Sequence, residues 1–391
     1  MTKLYWVNFL HFYQPPFLSP ALLKIIIKES YEFILKHLEK YPNRKLTLNI
    51  SGSLTEHLKK EDQSVLNRLK KLVVDGQVEL VSSAKYHPIL PLLPLMEVKR
   101  QIKLHDDINR AVFGAAYQPT GFYLPEMAYS RPVAELLKEL GYRWIIIDEI
   151  AFNGALGQVD WETKYQIKNP GLNVIFRNRR LSNTFVPAAI KELLGKTVRP
   201  KYAVTATDAE LYGHHHKDYN QVLKNIFLNP EIETLTCSQY LKRLKKEVTV
   251  DPLASNWEAT AEELKNNVPY RLWNNPENPA HQELWRLARL SWELKSKVKT
   301  KNDDSWAQKH LDRGLASCTW WWAAKKRPNV IGPFTWNPDE IEKGVQELLR
   351  SVRANDQATS EEKIEAEKIA NELRQQIWRE HWEKHAHQET T

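Results

Sequence analysis

The sequence predicts an α/β protein: a barrel-like body of parallel strands over residues 1–249, then an all-helical region over 250–391. Three observations carry this reading. Short, β-rich apolar runs alternate with longer helix-period stretches through the first 240 residues. After Thr249 the texture shifts to helix formers and aromatics. The polar groups that follow the strand candidates fall on one rim, where parallel α/β folds build their sites.

The runs are Leu4–Leu10, Leu46–Ile50, Val78–Ser82, Gly121–Leu124, Tyr142–Ile147, Asn173–Phe176 and Tyr202–Ala206. Between them lie helical stretches at Ala21–Lys40, Gln63–Asp75, Leu95–Val112 and Pro132–Leu140. Gly76 and Gly141 follow helical runs and Pro132 opens one, as helix ends prefer. Seven strands joined by helices suit a barrel of seven or eight strands. The basic stretch 242–248 reads as a solvated helix face. Farther on, 283–294 and 310–324 read as aromatic-rich helices, and 339–387 as a helical region amphipathic at Ile341, Val345, Leu348, Leu349 and Val352. A polar break interrupts it at 354–362.

Composition bounds the function. The 391 residues leave room for a barrel of about 250 residues plus an appendage. Two cysteines, Cys237 and Cys318, make neither a disulfide framework nor a four-thiolate zinc site. Neither a signal-like start nor an 18-residue apolar window is present, so a soluble cytoplasmic protein without membrane contact is expected. The net charge of +8 is spread among acids, which argues against a nucleic-acid partner. Fourteen tryptophans suit a carbohydrate partner, because pyranose rings present apolar C–H faces to flat aromatics; packing mass in helices is the plainer alternative.

The strand ends supply the chemistry. They carry His11–Pro16, Ser82–Pro88, Leu124–Tyr129, Asp148–Glu149, Arg177–Arg180 and Thr207–His216. Neither Gly-x-Ser-x-Gly nor Gly-x-Gly-x-x-Gly occurs, and the His214–His216 run lacks partner spacing for zinc, so no metal or cofactor is expected. A carboxylate pair remains: Glu126 after the fourth strand and Asp208 ending the seventh. Alone, Glu126 reads as a loop acid and Asp208 as a helix cap. On one rim they fit glycosidic cleavage, one ionised and the other with a raised pKa.

At these residues the chain resembles glycoside hydrolase family 57. The motifs are His11-Phe12-Tyr13-Gln14-Pro15; Gly76 to Val81 running on to Tyr86-His87-Pro88-Ile89-Leu90-Pro91; Gly121 to Glu126; Asp208-Ala209-Glu210-Leu211-Tyr212-Gly213-His214; and Leu315 to Trp321. The resemblance implies a distorted seven-stranded β/α barrel with a helical domain after it. It implies a retaining hydrolase of α-glycosidic bonds in α-glucan, with Glu126 as nucleophile and Asp208 as acid/base. His11, Gln14, Glu79, His87, Tyr123 and His214 would bind sugar, and Trp320 or Trp321 would cap it. A related specificity (α-galactosidase or 4-α-glucanotransferase) and an inactive carbohydrate-binding homologue are the alternatives. Tyr13, Tyr123, Ala209 and Cys318-Thr319 depart from the family pattern.

Individual residues have simpler readings too. His11 alone reads as a core histidine, and His87 as one that Pro88 holds in extended backbone. Trp320, Trp321 and Trp322 are about 100° apart on a helix, so at most two reach a cleft. Asp148 is an orienting carboxylate or a helix cap. Arg177 or His11 would keep the nucleophile ionised.

Overall fold

A computed structural model describes residues 3–296, 305–326 and 334–385. It divides into two units: Met1–Lys85 with Leu90–Leu264, and Tyr86–Ile89 with the chain from Lys265 onward. Residues 250–264, expected with the helical region, therefore belong to the first unit.

Among the described residues the first unit contains ten strands: β1 (Leu4–Phe12), β2 (Leu46–Ile50), β3 (Val78–Val81), β4 (Gly121–Tyr123), β5 (Trp144–Asp148), β6 (Thr163–Ile167), β7 (Asn173–Arg177), β8 (Tyr202–Asp208), β9 (Ile232–Leu235) and β10 (Lys246–Val250). All seven expected runs are among them. The expected helix face at 242–248 is instead the end of the short helix Cys237–Arg243 followed by β10, whose exposed residues pair with β6.

The strands form two five-stranded sheets rather than one closed barrel. One has the order β3-β2-β1-β8, with β9 also on β1; the other is β10-β6-β7-β5-β4. Every pairing is parallel except the β6–β7 hairpin. One edge of β1 is shared: β9 takes Leu4–Val7 and β2 takes Phe9–Phe12. The sheets meet at two seams. A parallel bridge joins Ser82 to Phe122, and the Asn178 N–H donates to the Val204 carbonyl at 2.8 Å. The second seam stops there because side chains occupy the next backbone groups of β8. Ser182 Oγ accepts the Ala206 N–H, and Arg177 donates to the Ala206 carbonyl. A ladder between β7 and β8 has nothing left to pair with at that point.

Strand residues alternate between two cores, following the period of two. Trp6, Leu10 and Phe12 pack with the helices outside, including Leu23, Ile34 and Leu66. Val7, Phe9, Val81, Tyr123, Ile146, Ile175, Val204 and Ala206, from both sheets, share an inner core. The covering helices run close to expectation, at Pro20–Ile26, Glu32–Lys40, Gln63–Val74, Leu95–Phe113 and Arg131–Glu139. A π-helical turn, Ile27–Tyr31, joins the first two.

The second unit is helical over its described residues, with helices at Pro279–Ser296, Trp306–Gly314, Cys318–Trp321, Pro338–Arg353 and Ser360–Glu380. Ile341, Val345, Leu348, Leu349 and Val352 are fully buried on one stripe. Asn337 caps that helix, and Thr359 with Glu362 forms a capping box on the next. Gly344 allows a close approach, since a Cβ there would lie 2.2 Å from Thr319 Cγ2. Residues 386–387 of the expected helical stretch lie outside the described residues. Among the described residues, no helix is long and apolar enough to cross a membrane.

Candidate active site

The run Gly121–Tyr129 is buried except at Glu126. Glu126 and Met127 are both left-handed, with φ of +58° and +48°. Two successive non-glycine residues in that region cost about 1–3 kcal/mol each, and such strain concentrates at functional sites. Local bonds close the turn: Met127 N–H to the Leu124 carbonyl (2.7 Å) and Ala128 N–H to the Pro125 carbonyl (3.0 Å). Trp257, 131 positions away, holds it from the side. Its backbone N–H donates to the Glu126 carbonyl at 3.2 Å, and its indole Nε1–H donates to Glu126 Oε2 at 2.7 Å.

Asp208 is the counterpart on β8. The six residues before it in the strand are buried, and Asp208 alone is exposed. Protein packed around the carboxyl still raises its pKa to about 6, against the pull of the Arg177 guanidinium. Arg177 is itself buried. It donates to Asp148 Oδ2 (2.8 Å), the Ala206 carbonyl (2.8 Å), Asn183 Oδ1 (3.1 Å) and the Trp257 carbonyl (3.2 Å). Asp148 both orients and caps, because it also pairs with Arg179 and accepts the Ile150 N–H.

Tyr123 ties the two acids together. Burial first, then the charges of Asp208 and Glu126, push its phenol well up in pKa, while Arg177 pulls it down. Both carboxylates and the guanidinium therefore act on one hydroxyl. The Tyr123 ring lies 4.5 Å from that of His11 and stacks on Phe9 at 5.3 Å. His11 is hydrogen-bonded to Asn49 Oδ1 at 2.8 Å, and burial pushes its pKa down to about 3. It is neutral at any ordinary pH, so His11 does not supply the cation expected beside the nucleophile, and the Arg177 charge acts on Asp208.

Gln14 also reaches this rim. It donates to Glu210 Oε1 at 2.6 Å, and Tyr31 donates to the same oxygen at 2.7 Å. Burial, then the Asp208 charge, raises the Glu210 pKa to about 8, with the Tyr31 and Gln14 bonds opposing.

The other expected sugar ligands have partners of their own. The Glu79 carboxylate accepts from the Ser238 N–H (3.0 Å), the Ser238 hydroxyl and Thr47 Oγ1 (3.1 Å). In register it sits two residues before the level of His11. His214 is bound to Glu29 at 2.6 Å, which ties its loop to the π-helical turn. His87 groups with the helical unit and contacts Ser317 Oγ at 3.0 Å. Its backbone is left-handed (φ +58°), not the extended form that Pro88 was expected to impose. Trp320 is fully buried against Trp285, ring to ring at 4.2 Å, and Trp321 packs edge-on against Trp322.

Residues 23–252 match the profile of glycosyl hydrolase family 57. The chain belongs to that family. An α-amylase of Pyrococcus abyssi is 25% identical over 294 residues, 69% of this chain and 44% of that protein. An α-amylase of Pyrococcus horikoshii is 30% identical over 176 residues, 45% of this chain and 27% of that protein. The chain thus aligns with less than half the length of these curated family members. Among solved structures, a GH57-type branching enzyme of Pyrococcus horikoshii superposes with a TM-score of 0.69 at 17% identity, covering 95% of each chain. A 4-α-glucanotransferase of Thermococcus litoralis gives 0.68 at 18% identity, over 90% of this chain and 60% of that one. Both share the fold of this family 57 chain.

Proposed function

We propose that the chain is an enzyme that cleaves α-glycosidic bonds of α-glucan by retaining double displacement, with Glu126 as nucleophile and Asp208 as general acid/base. The observation that supports this reading is the geometry of the strand ends: Asp208 pairs with His11 at the end of the β1–β8 ladder, the His11 ring lies 4.5 Å from that of Tyr123, and Tyr123 leads into the left-handed turn that presents Glu126. Both acids are the solvent-reaching exceptions in otherwise buried strand ends. Asp208, with a pKa raised to about 6, protonates the leaving oxygen as Glu126 attacks the anomeric carbon. The same Asp208 then takes a proton from the acceptor hydroxyl, and the glycosyl ester on Glu126 breaks. Water as acceptor gives hydrolysis and a second sugar gives transfer. The names α-amylase, 4-α-glucanotransferase and branching enzyme among the relatives span both outcomes. Carbohydrate is the partner that this site serves, with His11, Gln14 and Tyr123 beside the reacting sugar.

The test is turnover of aryl α-glucosides and malto-oligosaccharides, with product anomers followed by NMR. Net retention and loss of several orders of magnitude in kcat for Glu126→Ala are expected. An inert wild type that still binds sugar would establish the binding-protein alternative, and inverted product would overturn the double displacement.

A further inference from the structure

We infer that Trp257 is a positioning residue for the Glu126 carboxylate, an assignment that rests on the nucleophile role proposed above. Trp257 grips Glu126 at two points, main chain to main chain and indole N–H to carboxylate. The first grip joins two backbone hydrogen bonds that are local to the left-handed Leu124–Ala128 turn itself. It comes from distant sequence and is anchored in turn. The Trp257 carbonyl accepts from Arg177, which is fastened to Asp148 on β5 and Ala206 on β8. The half-buried indole also packs on the cluster containing Tyr123 and Met127, so its direction is set by apolar contact as well.

The second grip suits a nucleophile. An indole N–H is a donor only and carries no titratable proton in the working range. Donating to Oε2, it favours the ionised carboxylate and fixes the plane in which the carboxylate meets the anomeric carbon. When the glycosyl ester breaks, the C–O electron pair returns to the carboxylate and the N–H meets the returning charge. Glu126 and Asp208 thereby receive opposite treatment. One acid accepts from a neutral donor, and the other has its pKa raised by surrounding protein.

The experiment compares wild type with Trp257→Phe, which keeps an aromatic ring and removes the donor. The probe is 5-fluoro-α-glucosyl fluoride, with covalent label at Glu126 followed by mass spectrometry across pH. Labelling of the variant should be about 10–100-fold slower, with the acidic limb of its pH profile moved to higher pH. A rate and acidic limb equal to wild type would overturn the positioning role. Unlabelled Glu126 in wild type would instead overturn the nucleophile reading beneath it. Should Trp257→Phe fail to fold, indole N–H spectra of wild type and Glu126→Ala decide. One indole proton resonance should move upfield, and no movement means that the contact is absent.

Discussion

His11 and Asp208 are the last paired residues of the parallel β1–β8 ladder, so a neutral imidazole and an acid of raised pKa sit side by side at the strand ends. His11 adds no positive charge to this pair, and Arg177 alone moderates Asp208. Because a general acid works protonated, kcat/KM on malto-oligosaccharides should fall on the alkaline side with a midpoint near pH 6. Asp208→Asn should remove that limb and cost several orders of magnitude in kcat on poor leaving groups. A pH–rate series on both proteins checks it.

Glu210 sets a pH dependence of stability. Its pKa rises from an unfolded value of about 4.3 to about 8 in the fold, so the folded state holds a proton that the unfolded chain releases. Stability should therefore decline as pH rises through that interval. Glu210→Gln keeps an acceptor for Tyr31 and cannot ionise. It should be neutral near pH 4 and more stable than wild type by a few kcal/mol above pH 8, read from denaturant curves at each pH.

Glu79→Gln separates a structural carboxylate from a sugar ligand. Its partners are Ser238 and Thr47, so the substitution should lower stability by about 1–3 kcal/mol and leave KM for malto-oligosaccharides within about twofold. A tenfold rise in KM with unchanged melting would restore the ligand role. Thermal melts and Michaelis curves give both numbers.

Gly213→Ala should be destabilising by several kcal/mol, seen as a lowered melting temperature. Gly213 has φ of +109°, and a Cβ there would lie 2.0 Å from the Glu29 carbonyl oxygen, a backbone atom with little room to yield. The same shift would separate His214 from Glu29.

The strands that the sequence announces are those buried on both faces, such as Trp144–Asp148, where apolar runs are unbroken. Lys246–Val250 escapes because four of its five residues are exposed and it pairs at a sheet edge, leaving no apolar pattern. Barrel closure is not legible either, since it turns on Ser182 and Arg177 taking the backbone groups of Ala206. In the site, Glu126 and Asp208 announce themselves through motif context. Trp257 does not: it is one of fourteen tryptophans, and its partner lies 131 positions away. The Ser238 partner of Glu79 is not legible either, because a motif position says nothing of a residue 159 positions away.

The divided edge of β1 also governs how the chain emerges during synthesis. Leu4–Phe12 can pair early with Leu46–Ile50, which covers only the later half of one edge. Its other neighbours, Tyr202–Asp208 and Ile232–Leu235, are made some two hundred residues later or more, a delay of roughly ten to forty seconds at ordinary elongation rates. Throughout that interval the unpaired edge of this apolar strand is an open template for wrong partners, and it closes only once synthesis has passed Leu235, about three-fifths of the way along the 391 residues.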